Sequence, residues 1–214
     1  MSETEAVNRD LAAHLGVGVP SARGGVLDEG DFAAWAWGFH RFGPRVMVQA
    51  ALVASRISLP VWSLYRPLDD DERGVFADPL VATALDAVSR WLESEARPEQ
   101  EVEQALGDLR QLVDRVAFYV QEASGSDDVV LGRQKALSAA VAALAALETF
   151  AWTEARATAS VVDPTDEAEL EARKLAGPVL HVVQAFSHAC LATGIDAHRL
   201  RAELRASLLE RPDP

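Results

Sequence analysis

The most constraining stretch of this 214-residue chain is ALSAAVAALAA, Ala136 to Ala146, because a helix wound from it has almost no polar side to offer water. Ala favours helix, and its small side chain lets neighbouring backbones come close, so the run asks to be enclosed by other helices. Extended to Leu147 the apolar run rises only about 18 Å, short of the ~30 Å hydrocarbon core of a bilayer. The expectation is a central helix, Leu131 to Ala159, inside an all-α fold.

The rest of the chain supplies the partners. Asp78-Pro79 is a helix start, with Asp accepting from the free first-turn amides and Pro where no amide bond is needed. The helix it opens, to Glu95, lines up Leu80, Val81, Ala84, Leu85, Val88, Trp91 and Leu92 on one face. Pro98 opens the next in the same way, with Val102, Ala105, Leu106, Leu109, Leu112, Val113, Val116 and Val120 inward. Asp31 and Asp163-Pro164 read as further starts, and Asp196 as another cap after Gly194. A helix from Pro44 to about Ser58 should be limited by Pro60 and continue to Pro67 after a kink, and Gly177-Pro178 should kink or restart the chain before Val179 to Thr193. No alternating run bounded by a hairpin turn suggests strands. The sum is seven to nine helices in a bundle or layered antiparallel array, without the fixed repeat of a solenoid. Residues 1–30 read as an N-terminal helix, Thr4 to Leu15, and a Gly-rich linker; residues 31–214 read as one helical domain.

Charge narrows the function. With 20 Lys+Arg against 33 Asp+Glu the net charge is −13, which repels phosphate backbones and points away from nucleic acid toward a basic protein partner. The single Cys excludes a disulfide framework, and five His leave little for a metal centre. The first residues show no basic-then-apolar leader, so the expected location is cytoplasmic. Val46 to Tyr65 comes nearest to a membrane span but carries Gln49, Arg56 and Pro60, and an Arg at a span's centre costs roughly 3 kcal/mol; no membrane partner is expected.

Four groups of residues invite a functional reading. Asp69, Asp70, Asp71 and Glu72 form an acidic run whose spacing does not match a calcium loop, so it reads as solvated charge or as a surface for a basic partner. Trp35, Trp37, Phe39, Trp62 and Tyr65, with Arg45, Arg56 and Glu148, read either as core or as the wall of a ligand pocket. Glu148, directly after the apolar run, needs a partner such as an Arg. His181, Gln184 and His188 share a helix face, but the two His lie about 10 Å apart along the axis, too far for one metal ion. Cys190, between Ala189 and Leu191, reads as core. No catalytic residue, metal site or cofactor emerges, and dimerisation through a helical face stays open.

The segment from Ala51 to Ala96 resembles a bacterial immunity protein family of the Imm5 type. There a helix ending in Leu-Pro and an aromatic or apolar residue precedes a Pro-Asp motif and an Ala-rich helix ending in Trp. The matching residues are Arg56, Leu59, Pro60, Trp62, Pro67, Asp69, Asp70, Ala84, Leu85 and Trp91, while Glu72 to Asp78 stands where the family has an Arg-Pro-Arg run. The resemblance implies an all-α cytoplasmic protein that neutralises a partner toxin and has no catalytic residues of its own. The alternative from the residues alone is a small-molecule-binding or enzymatic bundle with the aromatic pocket.

Overall fold

A computed structural model describes residues 3–16, 34–94, 99–122, 126–158 and 167–209, with side chains described for all of these except 3–5, 99, 154–158 and 167–176. Among the described residues the fold is all-α, with no strand. Eight helices follow one another: α1 (Glu3–Gly16), α2 (Pro44–Leu64), α3 (Asp70–Phe76), α4 (Leu80–Glu93), α5 (Glu99–Gln121), α6 (Asp127–Thr158), α7 (Glu167–Thr193) and α8 (Ala197–Leu209), with a 3-10 turn at Gly38–Phe42 before α2.

The apolar run lies in α6, which packs against α2, α4, α5 and α7. Ala136, Ala139, Ala140, Ala142, Ala143, Ala145 and Ala146 are all buried, so the helix without a polar side is the one the others surround. On α2, Ala50, Ala51 and Ala54 are likewise buried. Small residues on both helices let the backbones approach: the Ser55 hydroxyl lies 2.6 Å from the Ala142 carbonyl and 2.8 Å from that of Ala51, its one proton serving both. The same two helices meet again where an added Cβ on Gly132 would fall 3.2 Å from the Tyr65 ring. Residue numbers rise on one helix as they fall on the other, so α2 and α6 run antiparallel. The contacts of Glu148 with His181, and of Trp152 with Gly177, give the same direction for α6 and α7. Leu11 and Leu15 of α1 join the same buried cluster as Phe186 and Leu204, which makes α1 part of the bundle.

Both internal prolines lie within helices that continue past them. α2 continues through Pro60 to Leu64. The carbonyl of Arg56 loses its amide partner there, but Arg56 and Pro60 both face solvent, where water replaces the lost bond. Likewise α7 runs unbroken through Gly177 and Pro178. The Trp152 ring sits close over Gly177, 3.2–3.3 Å from where a Cβ would stand. α4 begins as expected, the Leu80 amide donating to Asp78 Oδ1 at 2.9 Å. Gly194, at φ +72°, closes α7, and Asp196 caps α8 by accepting from the Arg199 amide at 2.8 Å. The expected cap at Asp31, the linker, Pro98 and Asp163-Pro164 lie outside the described residues.

The central helix is longer than its apolar run. By length and composition two helices reach what a membrane crossing needs, Pro44–Leu64 and the Asp127–Thr153 part of α6. About half of each is covered by the rest of the bundle (50% and 56%), and this neither assigns nor excludes a cytoplasmic location.

Candidate functional site

The acidic run starts α3, a helix of its own. Asp69 is its cap, accepting from the Glu72 amide at 2.7 Å, and Asp70 and Asp71 occupy the first turn, where negative charge complements the helix dipole. Asp69, Asp70 and Asp71 are exposed, Asp70 pairing with Arg73 Nη1 at 2.8 Å.

Glu72 corrects the expected surface. It is 0% exposed. Helical spacing puts Glu72, Val75 and Phe76 on one side, and that side faces the core. There Glu72 Oε1 accepts from Arg133 Nε at 2.6 Å and from the Tyr65 hydroxyl at 2.7 Å, while Oε2 accepts from the Leu68 amide at 2.6 Å. Burial opposes the charge, but the Leu68 amide, the Arg133 guanidinium and the Tyr65 hydroxyl together hold the Glu72 carboxyl below the usual carboxylate range. Burial and the Glu72 bond push the Tyr65 hydroxyl up to about 12. These groups tie α2, α3 and α6 together and are withdrawn from any partner.

A second ionic group joins α5, α6 and α7. Glu148 Oε1 accepts from Arg110 Nη2 at 2.8 Å and Nε at 3.2 Å, and Glu148 Oε2 lies 3.0 Å from His181 Nδ1. The expected Arg partner is therefore Arg110. Glu148 and His181 are each 15% exposed, Arg110 55%. Burial works against the Glu148 charge, but His181 and Arg110 outweigh it and keep the carboxyl below its ordinary range. A carboxylate on one imidazole nitrogen is how proteins orient a base or a metal-bound His. Among the described residues no group of three His, Cys, Asp or Glu could hold an ion, and the shared Nδ1 is also 3.1 Å from Gln184 Oε1. The arrangement works as a clasp between helices. His188, a further two turns along α7, has a buried Nδ1 without a partner, and burial lowers its pKa.

The residues picked for a pocket are spread over separate places. Trp35 and Phe39 are buried with His14, Phe42 and Phe186, their rings 4.9–6.2 Å apart where they meet. Trp62 and Tyr65 pack on Phe76, which also meets Tyr119, and Trp62 Nε1 donates to the Asp78 carbonyl at 3.2 Å. Trp37 is 42% exposed beside His40. Arg45 is exposed, and Arg56 reaches α4, donating to Ser89 Oγ at 2.6 Å and lying 3.5 Å from Asp86. A surface depression of about 360 Å³ lies instead between α1 and the 3-10 turn, lined by Val7, Asp10, Ala13, Arg41 and Phe42.

Sequence reasoning passed over His14 and Arg133. His14 is buried in the first aromatic cluster, its Nε2 without a hydrogen-bond partner, and burial with Arg41 nearby lowers its pKa to about 4. Arg133 left no distinct trace in the sequence, because Lys135 stands even nearer the apolar run and only the fold shows which of the two cations is buried. Cys190 is core as expected, and burial pushes its thiol up to about 11, which removes the thiolate a nucleophile requires.

No protein-family model, curated protein or solved structure matches the chain.

Proposed function

We propose that the chain is a non-enzymatic protein-binding module, an immunity protein that neutralises a toxin of basic charge in the cytoplasm through the acidic start of α3. The observation that carries this reading is the division of charge. Glu72 and Glu148 are engaged by Arg133 and Arg110, while Asp69, Asp70 and Asp71 stand outside on a chain of net charge −13. Such a surface speeds encounter with a basic partner and selects it against acidic ones more than it raises affinity. The toxin as partner comes from the resemblance over Ala51 to Ala96.

The test is capture of the partner from the native cell, followed by association kinetics with the purified pair. Association is expected to slow by about tenfold or more as salt rises from ~0.05 to ~0.5 M, because screening shortens the reach of the acidic surface. Association indifferent to salt, or a captured partner of acidic charge, would contradict the reading.

A further inference from the structure

Leu64, Leu68, Phe118 and Leu131 are 75%, 62%, 60% and 48% exposed, large side chains left in water at one end of the bundle. Contacts beneath them establish that they share that end. Leu64 precedes Tyr65, whose ring packs on Gly132, the neighbour of Leu131. The Leu68 amide bonds to Glu72, which Arg133 holds from α6. Phe118 meets Tyr119, Tyr119 meets Phe76, and Phe76 meets Tyr65 at ring distances of 6.1, 6.0 and 4.6 Å. A polar and aromatic layer thus links the chain positions next to these four residues, and all four side chains are exposed among the described residues.

Acidic residues border this end, Asp69, Asp70 and Asp71 at the start of α3 and Asp127 and Asp128 at the start of α6, all exposed, and they outnumber the exposed cations among them, Arg66 between Leu64 and Leu68 and Arg73 paired with Asp70. Helix starts favour acids for their own reasons, so charge alone would select no partner. Apolar side chains within an acidic border do: they fit a segment carrying apolar residues on one side and Lys or Arg beside them. A second copy of this chain, at net charge −13, and an anionic lipid surface both bring the wrong sign. Resting on the protein-binding reading above, we infer that this end of the bundle docks a basic amphipathic helix of the partner, its apolar face on Leu64, Leu68, Phe118 and Leu131.

An 18-residue Lys/Leu amphipathic peptide serves as probe, with a Glu/Leu peptide of the same pattern as control, both followed by fluorescence anisotropy. The native chain is expected to bind the first and not the second. Leu68→Ser and Leu131→Ser should each weaken binding by about tenfold, whereas Leu180→Ser and Leu191→Ser, at exposed leucines of α7, should leave it unchanged. Circular dichroism of the variants separates lost binding from lost fold. If all four variants bind the Lys/Leu peptide alike, charge alone is acting; the docking inference falls while the acidic-surface reading stands. If the native chain ignores this peptide yet associates with its captured partner in a salt-sensitive way, the inference again falls alone. A dimer in solution that Leu68→Ser dissolves, or binding to vesicles of anionic phospholipid that Leu68→Ser abolishes, would assign the end to a different occupant and overturn it. Salt-insensitive partner association would sink the parent reading, whatever the peptide does.

Discussion

Glu72 with Arg133 and Glu148 with Arg110 are the same chemical pair in two settings. The first is sealed, at 0% and 10% side-chain exposure; the second opens to water through an Arg that is 55% exposed. Sealed charges must be matched completely, and Glu72 uses both oxygens, on Arg133, Tyr65 and the Leu68 amide. The open pair is looser in its demands because water shares the Arg. His14 completes the series: it is buried with an unpartnered Nε2, and burial favours the neutral ring. Burial beside an opposite charge preserves charge here, and burial without one removes it.

Breaking the sealed pair should have the largest effect. Arg133→Met leaves Glu72 charged and buried, and is expected to cost about 3–5 kcal/mol in urea unfolding. Adding Glu72→Leu should recover part of that loss, though not all, because Tyr65 and Leu68 would then keep unanswered donors. A single-variant cost below about 1 kcal/mol would mean that the interior is wetter than the bonding implies.

Acid should act next. His14 at about 4 in the fold and 6.5 as an ordinary imidazole means the unfolded chain binds more protons between those values. Its contribution is full above pH 6.5 and lost as pH falls toward 4, up to about 2–3 kcal/mol, with His188 adding in the same direction. Glu72 and Glu148, both held below the ordinary carboxylate range, contribute above it and lose that contribution as pH falls further. Unfolding midpoints followed from pH 7 to 3 should fall in two stages, and His14→Phe should flatten the first. A profile level from pH 7 to 4.5 would contradict the burial of His14.

Packing around that ring gives a third check. A Cβ on Gly38 would lie 2.5 Å from His14 Cε1, so Gly38→Ala should cost about 1–3 kcal/mol and loosen α1, measured by hydrogen exchange at Leu11 and Leu15. The open pair should matter least: Arg110→Ala is expected to cost about 0.5–1 kcal/mol, shrinking at high salt.

The sequence shows most of the bundle and hides most of its polar interior. Periodicity places Val81, Ala84, Leu85 and Val88 on the buried side of α4, and the missing polar face places α6 at the centre, because burial of whole faces leaves a trace in spacing. Pro60 and Pro178 do not end their helices, and whether a proline ends one depends on whether its freed carbonyl can reach water, as at exposed Arg56, which only the fold decides. Four acids in a row look alike until α3 exists; then Asp70 and Asp71 face out, and Glu72 shares a side with Phe76. The need of Glu148 for an Arg is legible one residue at a time, but Arg110 lies 38 residues away on another helix, and no local pattern connects them.

On the proposed reading, interior charges hold the bundle and exterior charges meet a partner. The most direct measurement is equilibrium affinity for the captured partner, with urea stability in parallel, for Asp70→Asn/Asp71→Asn and for Arg110→Ala/Glu148→Gln. The first pair should weaken binding severalfold with stability nearly unchanged, and the second should reduce stability with binding unchanged. Loss of binding in the second pair alone would contradict the account, placing the working residues in the clasp of α5, α6 and α7.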